Sequence, residues 1–216
     1  ENEGREFAQH EDRLTRLKAQ AEVAKLADDE AGYKAAVEAL KGAYTVAFAE
    51  IAKMRHAVAV AKAPMVAEHV LNLLEDTGKC VVFCHHHDVT DKLAAELKEH
   101  GVLMVDGRTP NDQRQAIVDQ FNTDATKRVL LLGIRAAGVG LSVKASVEVF
   151  AELDWTPGVV QQAEDRCHGI GRGIEGEPLL VQHLVLERSL DARMAKALVA
   201  KQDIADAALD KAGAMA

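Results

Sequence analysis

From residue 80 onward, short runs of continuous aliphatic side chains alternate with amphipathic stretches of helical length, and this rhythm constrains the chain more than any other feature. The runs cover residues 80–83, 102–105, 129–132, 147–150 and 179–185. Apolarity that is continuous rather than alternating belongs to strands buried on both faces. The intervening stretches, 88–100 and 110–121, supply the crossovers that parallel strands need. The expected fold is α/β, a parallel sheet flanked by helices, closed by a last helix from about Ser189. Asp88, and Thr109 before Pro110, have the chemistry of helix caps.

Residues 1–62 read differently. They contain no proline, and Leu14, Leu17 and Ala21 recur at helical spacing. Asp28 and Asp29 suggest a turn and N-cap before a second helix that places Val37, Leu40, Tyr44, Phe48 and Ile51 on one face. The expectation is an N-terminal helical hairpin arm, followed by a compact domain over 63–216. Pro64 would open a further short helix bearing Val66, Val70, Leu73 and Leu74 and ending near Gly78. Aromatic residues make up only 4% of the chain, so Ala, Val and Leu must build the core.

Three cysteines, an odd number without small-domain spacing, argue against a disulfide scaffold and for a reducing, intracellular setting. No uninterrupted apolar run reaches about 18 residues, and the charged opening resembles neither a signal nor a transit peptide, so no membrane partner is expected. A formal net charge of -8 points away from a surface coated in positive charge but leaves room for a local basic strip.

In an open parallel sheet, ligands meet the loops at the carboxyl ends of the strands. Four segments expected there are unusual: Cys84-His85-His86-His87, Asp106-Gly107-Arg108-Thr109, the stretch from Gly133 to Ser142 containing Gly138 and Gly140, and Asp154-Trp155-Thr156-Pro157 leading to Gln162, Arg166, Cys167 and His168. Gly138 and Gly140 allow close backbone approach to a nucleotide or phosphate, or simply a turn. Cys80, Cys84 and His85 to His87 lack the paired ligand spacing of a closed zinc site, and no metal is assigned to them. Cys167 has no identifiable base beyond His168, so a catalytic thiol is not assigned either.

Taken together and in this order, the four segments resemble motifs IV, IVa, V and VI of the superfamily 2 ATPases in their Swi/Snf form. The match extends over about 55–210. The string from Phe150 to Gly158, with the paired histidines after the first strand, is similar to the annealing-helicase branch. The resemblance implies a RecA-like second lobe that closes over ATP and Mg2+, both held mainly by an N-terminal RecA-like lobe of the same protein, while the motor moves on duplex or branched DNA. It implies further that Arg166 is the arginine finger, with Gln162 one helical turn earlier aligning the site. A guanidinium suits this role because it is always ionised and bidentate; an ion pair with Asp165 or Glu164 is the plainer reading of the same residue. Contacts to DNA are implied at His85, His86, Arg108, Thr109, Ser142 and Lys144, although Thr109 alone could be a cap.

Motif VI usually continues His-Arg-Ile-Gly-Gln, whereas here it runs His168-Gly169-Ile170-Gly171-Arg172. Gly169 replaces an arginine that faces the nucleotide, and Arg172 stands where it could compensate. A phosphate-cradling loop ending in Gly-Lys-Ser or Gly-Lys-Thr is absent: the only Gly-Lys, Gly78-Lys79, precedes Cys80. The chain alone is therefore expected to bind ATP poorly and not to hydrolyse it. Two alternatives stand beside this: a degenerate lobe that acts as a nucleic-acid or protein interaction module, and a superfamily 2 member that acts on RNA. A dehydrogenase is disfavoured by the absence of G-x-G-x-x-G. The motor reading places the protein with its DNA, in the cytoplasm or nucleoid if bacterial or phage and in the nucleus if eukaryotic.

Overall fold

The structure is a computed structural model that describes residues 2–136, 140–167 and 178–213, with side chains described between 12 and 201. The chain divides into two compact units, Glu1–Val58 and Ala59–Ala216.

In the first unit, α1 (Asn2–Leu26) turns into α2 (Glu30–Asp76). Asp28 sits at φ 57, and Asp29 caps α2 by accepting a hydrogen bond from the Gly32 amide at 2.9 Å, as the acidic pair suggested. Folding back places the Lys18 ammonium 5.7 Å from the Tyr44 ring centroid and buries Ala21, Ala43 and Ala47. The expected hairpin is present.

The division between units falls inside α2, which continues through Pro64 instead of restarting there. A proline within a helix has no N–H for the carbonyl four residues back. That carbonyl belongs to Val60, and Lys92 Nζ donates to it at 3.3 Å. A side chain from elsewhere in the fold thus fills the gap that would otherwise favour a break. By length and composition α2 is apolar enough to cross a bilayer. Ala59, Ala63, Val66, Ala67, Val70 and Leu74, part of that apolar surface, are buried in the core.

The second unit is built on five parallel strands: β1 (Cys80–Cys84), β2 (Val102–Val105), β3 (Val129–Gly133), β4 (Val147–Phe150) and β5 (Leu180–His183), in the order β2-β3-β1-β4-β5. Cys80 stands in register with Val129 and Val147, and Val147 with Leu180, so the strands begin along one edge and end along the other. Helices α3 (His87–Glu96), α4 (Asn111–Thr123), α5 (Pro157–Glu164) and α6 (Leu190–Gly213) follow β1, β2, β4 and β5. Right-handed crossovers put α3 on one face and α4 and α5 on the other. On the α3 face, Val82, Cys84, Leu131 and Val149 pack with α2 and with Val89, Leu93 and Leu97. The alternating set on the α4 and α5 face includes Phe83 stacked on Phe150, with ring centroids 4.5 Å apart.

Basic side chains close the helix ends at the strand-start edge. Arg128 donates to the carbonyls of Leu74, Thr77 and Gly78 at the end of α2, and Lys79 to those of Phe121 and Asp124 at the end of α4. These are the carbonyls that a helix leaves without an internal partner. The expected caps at the other ends are not the ones used. The residues flanking α3 and α4 are His86 and Pro110, neither with a side-chain cap. Asp88 lies inside the first turn of α3 and accepts from Val89, while Thr109 Oγ1 turns back to accept from the Asp106 amide at 3.1 Å.

Candidate functional site

The strand order reverses between β1 and β4: the connection from β1 runs toward β2, and that from β4 toward β5. In a doubly wound sheet, the crevice outside these two strand ends is the usual ligand position. Here it contains Glu152, 2% exposed, whose Oε2 accepts from the amides of His85 and His86 at 2.8 and 2.9 Å. The His86 ring meets Oε1 at 2.5 Å. Burial pushes the Glu152 pKa upward, but the His86 ring and the two amides outweigh it and hold the carboxyl below its ordinary value. The effect is to fix the loop after β1 to the end of β4. Beside it, buried Asp154 accepts from the Thr156 amide at 3.0 Å and from Arg135 Nε at 3.4 Å.

The loop after β2 is equally bound up with carboxylates. Arg108 forks onto Asp91 at 2.9 and 2.7 Å and onto Asp106 at 3.0 and 2.6 Å, with its side chain 46% exposed. Asp106 also meets the His87 ring at 3.2 Å. Its pKa, which burial raises, is brought below the ordinary value by Arg108 and His87. Arg108 is raised in turn by Asp91 first and Asp106 second. As an expected DNA contact, Arg108 reaches the surface already paired with two anions.

The third and fourth segments do not remain at the carboxyl edge, contrary to the simple reading of the sequence. After β3 the chain crosses back beside α4 toward the strand-start edge. Arg114, near the start of α4, donates to the Thr109 carbonyl at 3.0 Å and to the Ala136 carbonyl at 3.4 Å. Two turns later, Asn122 donates to the Ser142 carbonyl at 2.9 Å and accepts from the Lys144 amide at 2.8 Å. The Val143 amide, on the opposite side of this extended stretch, donates to the Arg166 carbonyl at 3.0 Å. Arg166 itself is 8% exposed and donates from Nε to the Gln162 carbonyl at 3.0 Å, while the Gln162 side chain is exposed. Ser142, Lys144 and Arg166 are thus brought together near the starts of the strands, apart from His85, His86, Arg108 and Thr109 at their ends. Lys144 is exposed and makes no ion pair among the described residues. Gly140 is exposed at φ 43, a left-handed conformation that suits glycine. Gly138, His168, Gly169 and Arg172 lie outside the described residues.

Residues 62–171 match the helicase conserved C-terminal domain, half of the chain. The chain belongs to the helicase C-terminal domain family. Its relatives place this helicase lobe in the Swi/Snf group. The SWI/SNF-related matrix-associated actin-dependent regulator of chromatin subfamily A-like protein 1 homolog of Caenorhabditis elegans is 38% identical over 67% of the chain and 22% of its own length. The DNA annealing helicase and endonuclease ZRANB3 of Mus musculus is 35% identical over 78% of the chain and 16% of its own length. The helicase lobe thus spans about a fifth or less of these two relatives. The C-terminal part of the Fun30 ATPase domain shares its RecA-like fold, with a TM-score of 0.56, 22% identity, and coverage of 61% of this chain and 44% of that one.

Several residues that organise the helicase lobe escaped the sequence reading. Glu152 enters only within the string from Phe150 to Gly158, and Arg114 and Asn122 stand outside the four segments. Asn122 did carry a signal, since asparagine is a poor helix former and here follows the apolar Phe121 within a helical pattern. The three cysteines are buried and free. Desolvation raises their thiol pKa values, Cys80 to about 12, which keeps them protonated and unreactive. Among the described residues, no cluster of three or more His, Cys, Asp or Glu could hold a metal.

Proposed function

We propose that this helicase lobe is the second motor domain of an ATP-dependent DNA translocase, contributing Arg166 to phosphoryl transfer and Ser142 and Lys144 to the DNA backbone. The observation that carries the reading is the Val143 amide bonded to the Arg166 carbonyl at 3.0 Å, which joins the backbone of the DNA-facing stretch to the residue expected to face the nucleotide. A shift of either segment must be felt by the other, and a motor needs that link between nucleotide and track. His85, His86, Arg108 and Thr109 form a second surface at the carboxyl edge for the same DNA.

The residues of the chain fit one side of a nucleotide. Arg166 provides a guanidinium anchored at Nε to its own helix, and Gln162 lies one turn before it. No loop in the sequence ends in Gly-Lys-Ser or Gly-Lys-Thr to cradle the phosphates. Bound ATP with Mg2+ supplies the transferring phosphoryl group, and a first lobe holds most of it. Arg166 stabilises the charge that develops there. The chain alone is then inactive, and the complete protein acts in the compartment of its DNA.

The test is the ATPase rate of the complete protein with and without duplex DNA, beside this chain alone and an Arg166→Ala variant. Turnover stimulated by DNA and lost in the variant, by about a thousandfold or more for an arginine finger, supports the motor. Turnover unaffected by Arg166→Ala overturns its role. A complete protein with no turnover favours the interaction module, the reading that Gly169 in motif VI supports; stimulation by RNA but not DNA moves the track to RNA.

A further inference from the structure

The connection from β3 to β4 carries two residues assigned to DNA, yet its stretch 141–146 belongs to no strand. Something outside a regular ladder must set its register. In extended chain, the carbonyl of one residue and the amide two residues later point to the same side, and the amide between them points to the other. Asn122 meets the first pair, Ser142 carbonyl and Lys144 amide, while Arg166 meets the amide of Val143.

We propose that Asn122 is a positioning residue for DNA binding, whose single amide group takes the place of a neighbouring strand and holds Ser142 and Lys144 where a phosphate backbone can reach them. The inference rests on the DNA reading of Ser142 and Lys144 given above. Carboxamide chemistry is required, because one side chain must donate to a carbonyl and accept from an amide. The end of α4 does not need Asn122 as a cap: Lys79 takes the carbonyls of Phe121 and Asp124, and the Asp124 amide donates to the Gln120 carbonyl. Val143 is fully buried between the two anchors and Lys144 is exposed. The arrangement therefore presents a cation on a backbone fixed from both sides. Loss of the Asn122 anchor would leave the Lys144 charge in place but release the main chain that aims it.

A double-mutant cycle between Asn122→Ala and Lys144→Ala tests this, read as the affinity of the complete protein for a short fluorescein-labelled duplex across a salt series. Alanine favours helix at this position, and native Trp155 fluorescence checks the fold. Lys144→Ala is expected to weaken binding and reduce the salt slope by about one, the signature of one lost phosphate contact. Asn122→Ala is expected to reduce the slope by a similar amount, and in the Lys144→Ala background to weaken binding by less than about twofold, because the two act through one contact. If Asn122→Ala does not fold, Asn122→Asp serves in the same cycle, since it keeps the acceptor for the Lys144 amide but repels the Ser142 carbonyl. Effects that multiply fully, or no effect of the Asn122 change while Lys144→Ala is effective, overturn the positioning role. No effect of Lys144→Ala overturns the DNA contact itself, and the inference with it.

Discussion

Glu148 offers the sharpest test of the physical description of the sheet. It lies on β4 in register with Val81 and Val181, is fully buried, and has no hydrogen-bond partner on either oxygen among the described residues. Burial is the main reason that its pKa rises from 4.5 to about 8; Glu164 and Asp165 push the same way, and the Cys167 thiol and amide are near enough to oppose them without making a bond of good geometry. Between pH 4.5 and 8 the folded protein therefore holds a proton that the unfolded chain has released. Stability from this group is full below 4.5, falls as pH rises, and levels off above about 8. At about 1.36 kcal/mol per unit, the change across that window is at most about 5 kcal/mol. Glu148→Gln keeps the shape and removes the titration. Urea unfolding followed by the fluorescence of Trp155, the only tryptophan, should give wild-type and variant stabilities that converge near pH 5 and diverge toward pH 8, with the variant more stable. Taking the difference between the two proteins cancels the histidines and every other group. Parallel pH curves would refute the reasoning, since they would mean that the carboxylate is charged and well solvated in the fold.

Lys62 and Asp191 form a buried pair, with side chains 4% and 5% exposed, and Lys62 also donates to the Leu184 carbonyl at 2.8 Å. Lys62→Met should cost about 3–5 kcal/mol in chemical unfolding by stranding the carboxylate, and a second change, Asp191→Leu, should recover much of it; a single variant as stable as wild type would contradict the pairing. Asp91→Asn leaves Arg108 with one carboxylate instead of two and should leave the melting temperature nearly unchanged, because the pair is exposed. The same change should tighten binding to duplex DNA and steepen its salt dependence. An unaltered slope would remove Arg108 from the DNA surface.

The sheet was legible because strands buried on both faces must be aliphatic throughout, and β1 to β4 fell within a residue of the runs at 80–83, 102–105, 129–132 and 147–150. At β5 the run predicted seven residues but the strand has four, Leu180–His183, with exposed Leu180 at the sheet margin. Pro64 misled because the residue that makes it tolerable, Lys92, is distant in sequence and supplies the donor only in the folded state. The four motif segments were legible by type but not by position. Which edge of the sheet Ser142, Lys144 and Arg166 occupy depends on how the β3–β4 connection runs along α4, and no local signal specifies that path. Arg114 and Asn122 direct it through backbone atoms, and backbone atoms are the same in every sequence.

The acidic total of -8 also has a local meaning once the pairs are placed. At the carboxyl edge Arg108 is matched by Asp91 and Asp106, and Arg135 by Asp154. A phosphate that reaches either arginine exchanges one anion for another, so the gain is the difference between two similar interactions. At the strand-start edge Lys144 has no carboxylate partner among the described residues, and on the proposed reading a phosphate there would gain the whole interaction and release a counterion. If the proposed DNA contacts hold, charge favours the Lys144 side as the first point of contact, with the carboxyl edge engaging only when a phosphate can displace Asp91. That order would suit the proposed motor better than permanent attachment would. For the proposed motor, a grip released in every cycle would be served by one cation on a stretch bonded to Arg166, and by a second set of cations held in reserve by their own carboxylates.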